Sequence, residues 1–242
     1  MLQPPELPPQ GPSTARLAPL DRFSGSLGQR VYQTLREAIL SLAYRPGEIL
    51  RKPEICEALG VSRSPVADAV ARLASEGLVD VIPQAGTFVA RFSMAEIREG
   101  AFLREAIEVA AIERVAETIT EDQITQLRRN LTVQAALVAD GDVPGFYQLD
   151  AAMHEMILSF TGFRRLAQVS ETAWLHVNRA RQLILPVPGR VAATLEEHRS
   201  ILAALEARDP QAARLATRAH LRQLVTYLEP LERDRPELFA PA

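Results

Sequence analysis

Residues 60–79 read GVSRSPVADAVARLASEGLV, and how this stretch starts and stops decides the fold of the N-terminal part. Ser62 stands at a helix N-cap position, and Pro65 falls in the first turn, where its missing N–H is no loss. Val66, Val70 and Leu73 then recur at helical spacing as one inward stripe, and Gly77 ends the run. Upstream, KPEICEALG at 52–60 reads as a shorter helix with Pro53 in its first turn and Gly60 at its C-cap. Two short helices flanking Gly60-Val61-Ser62 make a helix-turn-helix. Further out, Leu27, Val31, Leu35, Ile39 and Leu42 form the apolar stripe of an earlier helix, which stops at Tyr44-Arg45-Pro46-Gly47. Downstream, LVDVI at 78–82 and TFVA at 87–90 predict two short strands joined by Pro83-Gln84-Ala85-Gly86. The expected module, residues 24–92, is three helices followed by a two-stranded wing.

In such a module the second helix of the pair enters the DNA major groove N-terminus first. Ser62 and Ser64 can donate hydroxyl hydrogen bonds to phosphates, and the free N–H groups of the first turn attract anions. Arg63 can reach a phosphate or a guanine edge. As a plain helix cap the same residues carry no message, and it is the preceding helix and the following wing that favour DNA.

The composition sets the outer bounds. A chain of 242 residues, 47% hydrophobic and 24% charged, can bury one large core or two modest ones. No apolar run is long enough to span a membrane, and no basic-then-apolar leader opens the chain, so a soluble, cytoplasmic protein with no membrane partner is expected. Cys56 is the single cysteine, which excludes an internal disulfide and a thiolate cluster, so any metal site must use His and carboxylates. Residues 1–23 carry prolines at 4, 5, 8, 9, 12 and 19 and read as a disordered tail. The net charge of −3 argues against a strongly basic DNA face. Between Ser24 and Ser93 there are eight basic and seven acidic side chains, a net +1, against −4 for the remainder from Met94. One module then binds DNA modestly, and a homodimer on a palindromic operator supplies the rest.

From residue 93 to 242 the pattern is helical. Ser93-Met94-Ala95-Glu96 and Thr120-Glu121-Asp122-Gln123 are capping boxes that open two helices, the first running to about Ile119. Breaks at Asp140-Gly141-Asp142, Thr161-Gly162, Pro186-Val187-Pro188-Gly189 and Asp209-Pro210 divide the rest, giving an all-α bundle of six or seven helices. The fold class is mainly α. All four histidines lie here: His154, His176, His198 and His220. Asp150 and His154 share a helix face at i and i+4, and His198 and His220 sit on two later helices. An Asp and three His converging from three helices can hold zinc, nickel or manganese, although a lone helical His is more often a surface or core residue.

The segments VYQTLREAILSLAYRPGEIL, LGVSRSPVADAVARLASEGLV and QAGTFVA resemble the winged-helix regulators of the GntR family. LREAIEVAAIERVAE, DAAMHEMILSFTGFRRL, EEHRSILAALEARDPQAA and RAHLRQLVTYL are similar to the FCD effector-binding domain of its FadR-type branch. The resemblance covers nearly all of the chain after the tail. It implies a transcriptional regulator, more often a repressor and not an enzyme, whose double-stranded DNA contacts include Lys52, Ser62, Arg63, Ser64, Arg72, Gly86 and Thr87. It implies a divalent metal on Asp150, His154, His198 and His220, and a small carboxylate effector held by Arg104, with Asn178 and Arg181 as further candidates. His176 falls outside that pattern and reads as a pocket wall or a support behind the ligands. The chain also departs from the family: the usual second arginine of the recognition helix is Ala67, the basic residue before the wing glycine is Ala85, and Phe163 follows Thr161-Gly162 where the family has Asn. Two other readings stay open: a metal-dependent hydrolase with activated water at the same Asp/His site, and a metal that is purely structural.

Overall fold

Ser26 caps α1 (Leu27–Leu40): its hydroxyl accepts from the Gln29 N–H, and the Gln29 side chain accepts from the Ser26 N–H. The computed structural model, which describes residues 16–241, continues with α2 (Lys52–Leu59) and α3 (Arg63–Ser75). Gly60 ends α2 at φ 63°, a left-handed conformation that glycine adopts without strain, and the chain turns directly into Ser62 at the head of α3. α1 and α2 both pack on α3. Their shared core holds Val31, Leu35 and Ile39 with Val66, Val70 and Leu73, all buried. Leu27, expected in the same stripe, is 42% exposed at the first residue of α1, so burial begins one turn later at Val31. β1 (Val79–Ile82) and β2 (Gly86–Val89) pair antiparallel with Val79 opposite Val89 and Ile82 opposite Gly86.

Two segments depart from what their sequence predicts. Residues 1–15 of the expected disordered tail lie outside the described residues. Residues 16–23 are placed: Leu20–Arg22 form a 3-10 turn, Arg16 pairs with Glu48 at 2.5 Å and lies over the Tyr44 ring, and Thr34 donates to the Ala18 carbonyl at 3.4 Å. Proline density sets only an intrinsic preference, and here a carboxylate, a ring and a hydroxyl of the module supply partners. Residues 235–241 also join this unit, although they follow the last helix. Phe92 donates to the Leu238 carbonyl at 2.9 Å and accepts from the Ala240 N–H at 2.8 Å, while the Phe92 and Phe239 rings meet at 5.8 Å. Both rings are buried. Phe239→Ala removes a buried ring from this strap and is expected to cost about 3 kcal/mol of stability, read by chemical denaturation of the full chain; a midpoint unchanged from wild type would show the strap to be idle.

The second unit, residues 95–234, contains seven helices: α4 (Met94–Thr118, with Met94 in the first unit), α5 (Glu121–Asp140), α6 (Val143–Phe160), α7 (Arg164–Ala173), α8 (Leu175–Ile184), α9 (Arg190–Glu206) and α10 (Pro210–Asp234). The expected breaks are where the chain turns. Thr120 and Gln123 form both bonds of the capping box, Asp142 accepts from the Gly145 N–H, and Asp209 accepts from the Ala212 N–H. The break between α7 and α8 falls at Trp174, which carries no capping side-chain bond and which no glycine or proline announces. α5 packs on α6 and α9, and α9 on α10, around a core that includes Ile112, Leu127, Phe146, Met153, Leu195 and Leu205. No helix among the described residues is long and apolar enough to cross a membrane.

Candidate functional site

On α3, Ser62, Arg63, Ser64 and Ala67 are exposed together, and the Ser62 hydroxyl makes no capping bond. The first turn therefore presents free N–H groups, two hydroxyls and a guanidinium to solvent, which is what an anionic backbone requires. Asp68 is exposed beside them and weakens that field. Arg72 is exposed at the other end of α3 but already engaged: its guanidinium lies 3.7 Å from the centre of the Tyr32 ring and 3.4 Å from Glu76. Lys52 is half-buried at the first position of α2, and Gly86 is half-buried in the wing. Thr87 differs from its expected role as a DNA contact, because it is buried and its carbonyl accepts from the Leu50 N–H at 2.8 Å. The alternation of β2 sends Thr87 and Val89 to the covered side, a detail that the identity of a wing residue does not reveal. The exposed wing residues include the apolar Val81 and Ile82 together with Asp80 and Gln84, with Ile49 nearby on the facing segment.

In the second unit, Asp150 and His154 of α6, His198 of α9 and His220 of α10 come together, each offering one donor atom, all within 4.8 Å of one another and all buried. The i, i+4 spacing of α6 aligns the first pair, and the packing of α5 between α6 and α9 brings in the third. Asp150 Oδ1 lies 3.1 Å from His198 Nε2 and 3.6 Å from His154 Nε2, and His154 Nε2 lies 3.2 Å from His220 Nε2. His176 is not among them; it is half-buried, 3.7 Å from Glu96.

The opposite face of each ring is also occupied. His154 Nδ1 meets Glu108 Oε2 at 2.6 Å, His198 Nδ1 meets Gln134 Oε1 at 2.8 Å, and His220 Nδ1 meets Glu197 Oε2 at 2.7 Å. Burial acts to raise the Glu108 carboxyl, but Arg104 and His154 outweigh it and hold Glu108 well below the usual carboxylate range. Burial likewise works against ionised Glu197, while bonds from Arg190 and His220 bring it to about 2. Ionised carboxylates can only accept, so the Nδ1 positions of His154 and His220 carry the protons. Burial first, then neighbouring His154 and Arg181, keeps His198 neutral; burial also overrides Glu197 to keep His220 neutral. With each Nδ1 taken up, the Nε2 side of each ring is left facing the Asp150 carboxylate and the other rings.

These donors fit a divalent cation. Asp150 Oδ1 and His198 Nε2 are buried without a hydrogen-bond partner, an arrangement that costs about 1–3 kcal/mol per group unless something compensates. A proton shared between His154 and His220 would leave both of those atoms unsatisfied, whereas a cation among the four donors satisfies all of them. The set of one carboxylate and three imidazoles suits zinc, nickel or manganese.

Beside the donors opens a small cleft lined by Arg104, Asp150, Arg181, Arg190, Thr194 and His220, with apolar walls that include Ile184 and Leu224. Of the expected effector residues, Arg104 and Arg181 line it. Asn178 does not: it sits behind Arg181 and accepts a hydrogen bond from it at 3.4 Å. Arg181 also meets Asp150 and lies over the Tyr147 ring; burial, then Arg104, lowers its guanidinium to about 10, so it remains charged at neutral pH. Sequence reasoning passed over Arg190, Thr194, Glu108, Gln134 and Glu197. A signal for three of them was present: in RVAATLEEH, Arg190, Thr194, Glu197 and His198 recur at three and four residues, a polar ridge on one face of α9.

Comparison with known proteins supplies the identity. Residues 27–89 match the model of bacterial regulatory proteins of the gntR family, and residues 99–223 match the FCD domain. The chain is 35% identical over 210 residues to an "Uncharacterized HTH-type transcriptional regulator in unstable DNA locus" from Streptomyces ambofaciens, covering 87% of this chain and 88% of the relative. It is 30% identical over 214 residues to the "HTH-type transcriptional repressor RspR" of Escherichia coli K12, covering 88% and 94%. Among solved structures, a putative transcriptional regulator GntR from Rhodococcus sp. RHA1 shares the fold with a TM-score of 0.74, 24% identity and coverage of 85% of this chain and 99% of that one. E. coli McbR/YncC shares it with a TM-score of 0.71, 23% identity and coverage of 86% and 99%. The matches run in order along both units, so the chain belongs to the gntR family of bacterial regulatory proteins and is a DNA-binding transcriptional regulator with an FCD domain.

Proposed function

We propose that this regulator is a repressor that binds a palindromic operator as a homodimer through the exposed first turn of α3, and that a small organic acid in the FCD unit controls its affinity. The observation that carries this reading is the side-by-side arrangement of four buried donors and a cleft lined by three arginines. A divalent ion bound by Asp150, His154, His198 and His220 supplies fixed positive charge that favours carboxylate oxygens over neutral ligands. Arg104, Arg181 and Arg190 add guanidinium donors of carboxylate-matching geometry, and Thr194 adds a hydroxyl. Each arginine already has a carboxylate partner, in Glu108, Asp150 and Glu197. The cleft is therefore balanced without the metal, and it suits a mono- or dicarboxylate better than a larger polyanion. Control is linkage: an acid that binds one arrangement of the FCD unit more tightly shifts the population of the DNA-binding arrangement by the same free energy. Repression is supported by the name of the E. coli relative.

The test is a thermal-shift screen of hydroxy acids, sugar acids and dicarboxylates, with and without zinc, nickel or manganese, followed by operator binding with each hit. The expected result is a melting temperature raised by metal alone and raised further by the acid, more in the metal-loaded than in the metal-free protein, with release of DNA by the same acid. If metal stabilises the protein and no acid adds to it, the metal is structural. If an acid is consumed during incubation, the site belongs to an enzyme.

A further inference from the structure

Two of the three histidines connect to the cleft through the same motif. Arg104 Nε donates to Glu108 Oε1 at 2.6 Å, and Glu108 Oε2 holds His154 Nδ1 at 2.6 Å. Arg190 gives Glu197 a two-pronged pair at 2.6 and 2.8 Å, and Glu197 Oε2 holds His220 Nδ1 at 2.7 Å. Each chain runs from a guanidinium in the cleft, through one carboxylate, to an imidazole donor. His198 differs, because its Nδ1 partner is the neutral amide of Gln134, which in turn donates to Asn130 Oδ1.

We infer that Glu108 and Glu197 are positioning residues shared by the two halves of the site, raising metal affinity while restraining anion affinity. This rests on the reading above, in which the metal sits at the four donors and the acid in the cleft. The physical reason has two parts. A carboxylate accepting from Nδ1–H fixes the tautomer and ring orientation and makes Nε2 a stronger donor, and loss of such a partner typically costs 10- to 100-fold in metal affinity. The same carboxylate neutralises a buried arginine: Arg104 and Arg190 are each no more than 5% exposed, so without Glu108 or Glu197 each is a desolvated cation seeking an anion. One group thus acts on two ligands with opposite sign.

The experiment uses Glu108→Gln and, because Glu108 is deeply buried and its variant can fail to fold, Glu197→Gln at the more exposed chain. Zinc affinity is measured by competition with a chromophoric chelator. Malonate affinity of the metal-free full-length protein is measured by calorimetry. The expected result is zinc binding weakened 10- to 100-fold together with malonate binding tightened by about tenfold as an uncompensated guanidinium is offered to it. Loss of both affinities assigns the glutamates a general structural role and overturns the inference, as does a change in neither. Wild-type protein that binds neither zinc nor malonate overturns the underlying reading itself.

Discussion

Replacing His198 with alanine is expected to lower zinc, nickel or manganese affinity by about 100-fold, since an apparent 10–16 kcal/mol for a four-donor site places about 3 kcal/mol on each donor. His198 is fully buried, stacked on Phe146 at a ring separation of 6.4 Å and bonded to Gln134. The variant also leaves the Gln134 oxygen without its donor, a further cost of about 1–3 kcal/mol that is independent of metal. Chelation separates the two effects in the wild-type protein. Stripping a metal present at a thousand times its dissociation constant removes about 4 kcal/mol, which for a domain of this size lowers the melting temperature by about 10 °C. The check is metal content by elemental analysis together with melting curves with and without chelator. A variant that retains one metal per chain, or a wild-type melting curve indifferent to chelator, would refute the assignment of the four donors.

The second large effect is expected at the DNA face. Arg63→Ala should weaken binding to a palindromic duplex selected on the wild-type protein by about 1–3 kcal/mol, with relaxed sequence preference if Arg63 reads a base, or a salt slope lower by about 1 if it contacts a phosphate. Ala67→Arg adds a cation to the same exposed face and should tighten binding and steepen the salt slope by about 0.9 per phosphate neutralised. Arg72→Ala serves as the control: Tyr32 and Glu76 already hold that guanidinium, so its loss should lower stability more than operator affinity. Titrations at several salt concentrations distinguish these outcomes. Equal losses for Arg63→Ala and Arg72→Ala would mean that the first turn of α3 does not lead into the groove.

Much of this architecture is local in origin and hence legible in the chain. The boundaries of α2 and α3 follow from Pro53, Gly60 and Ser62, and the start of α5 from the Thr120–Gln123 box, because caps and left-handed glycines act within a few residues. Asp150 and His154 declare themselves by helical spacing. The α7–α8 break at Trp174 is not legible, since neither glycine, proline nor a capping side-chain bond marks it. The burial of Thr87 depends on which face of the wing is covered. The ordering of residues 16–23 and 235–241 depends on distant partners, Glu48 in one case and Phe92 in the other.

The same division runs through the candidate metal site. The residue types at 150, 154, 198 and 220 suffice to name a possible donor set, because carboxylate and imidazole chemistry belongs to the side chain itself. That all four meet within 4.8 Å, and that Glu108, Gln134 and Glu197 stand behind the three rings, is decided only in the folded chain. These partners lie 46, 64 and 23 residues from their histidines, far beyond the reach of any helical period. Sequence thus determined which chemistry the protein carries and where its local elements begin and end. Tertiary packing decided which charges are desolvated side by side, and therefore which nitrogens carry protons and which arginines face the cleft.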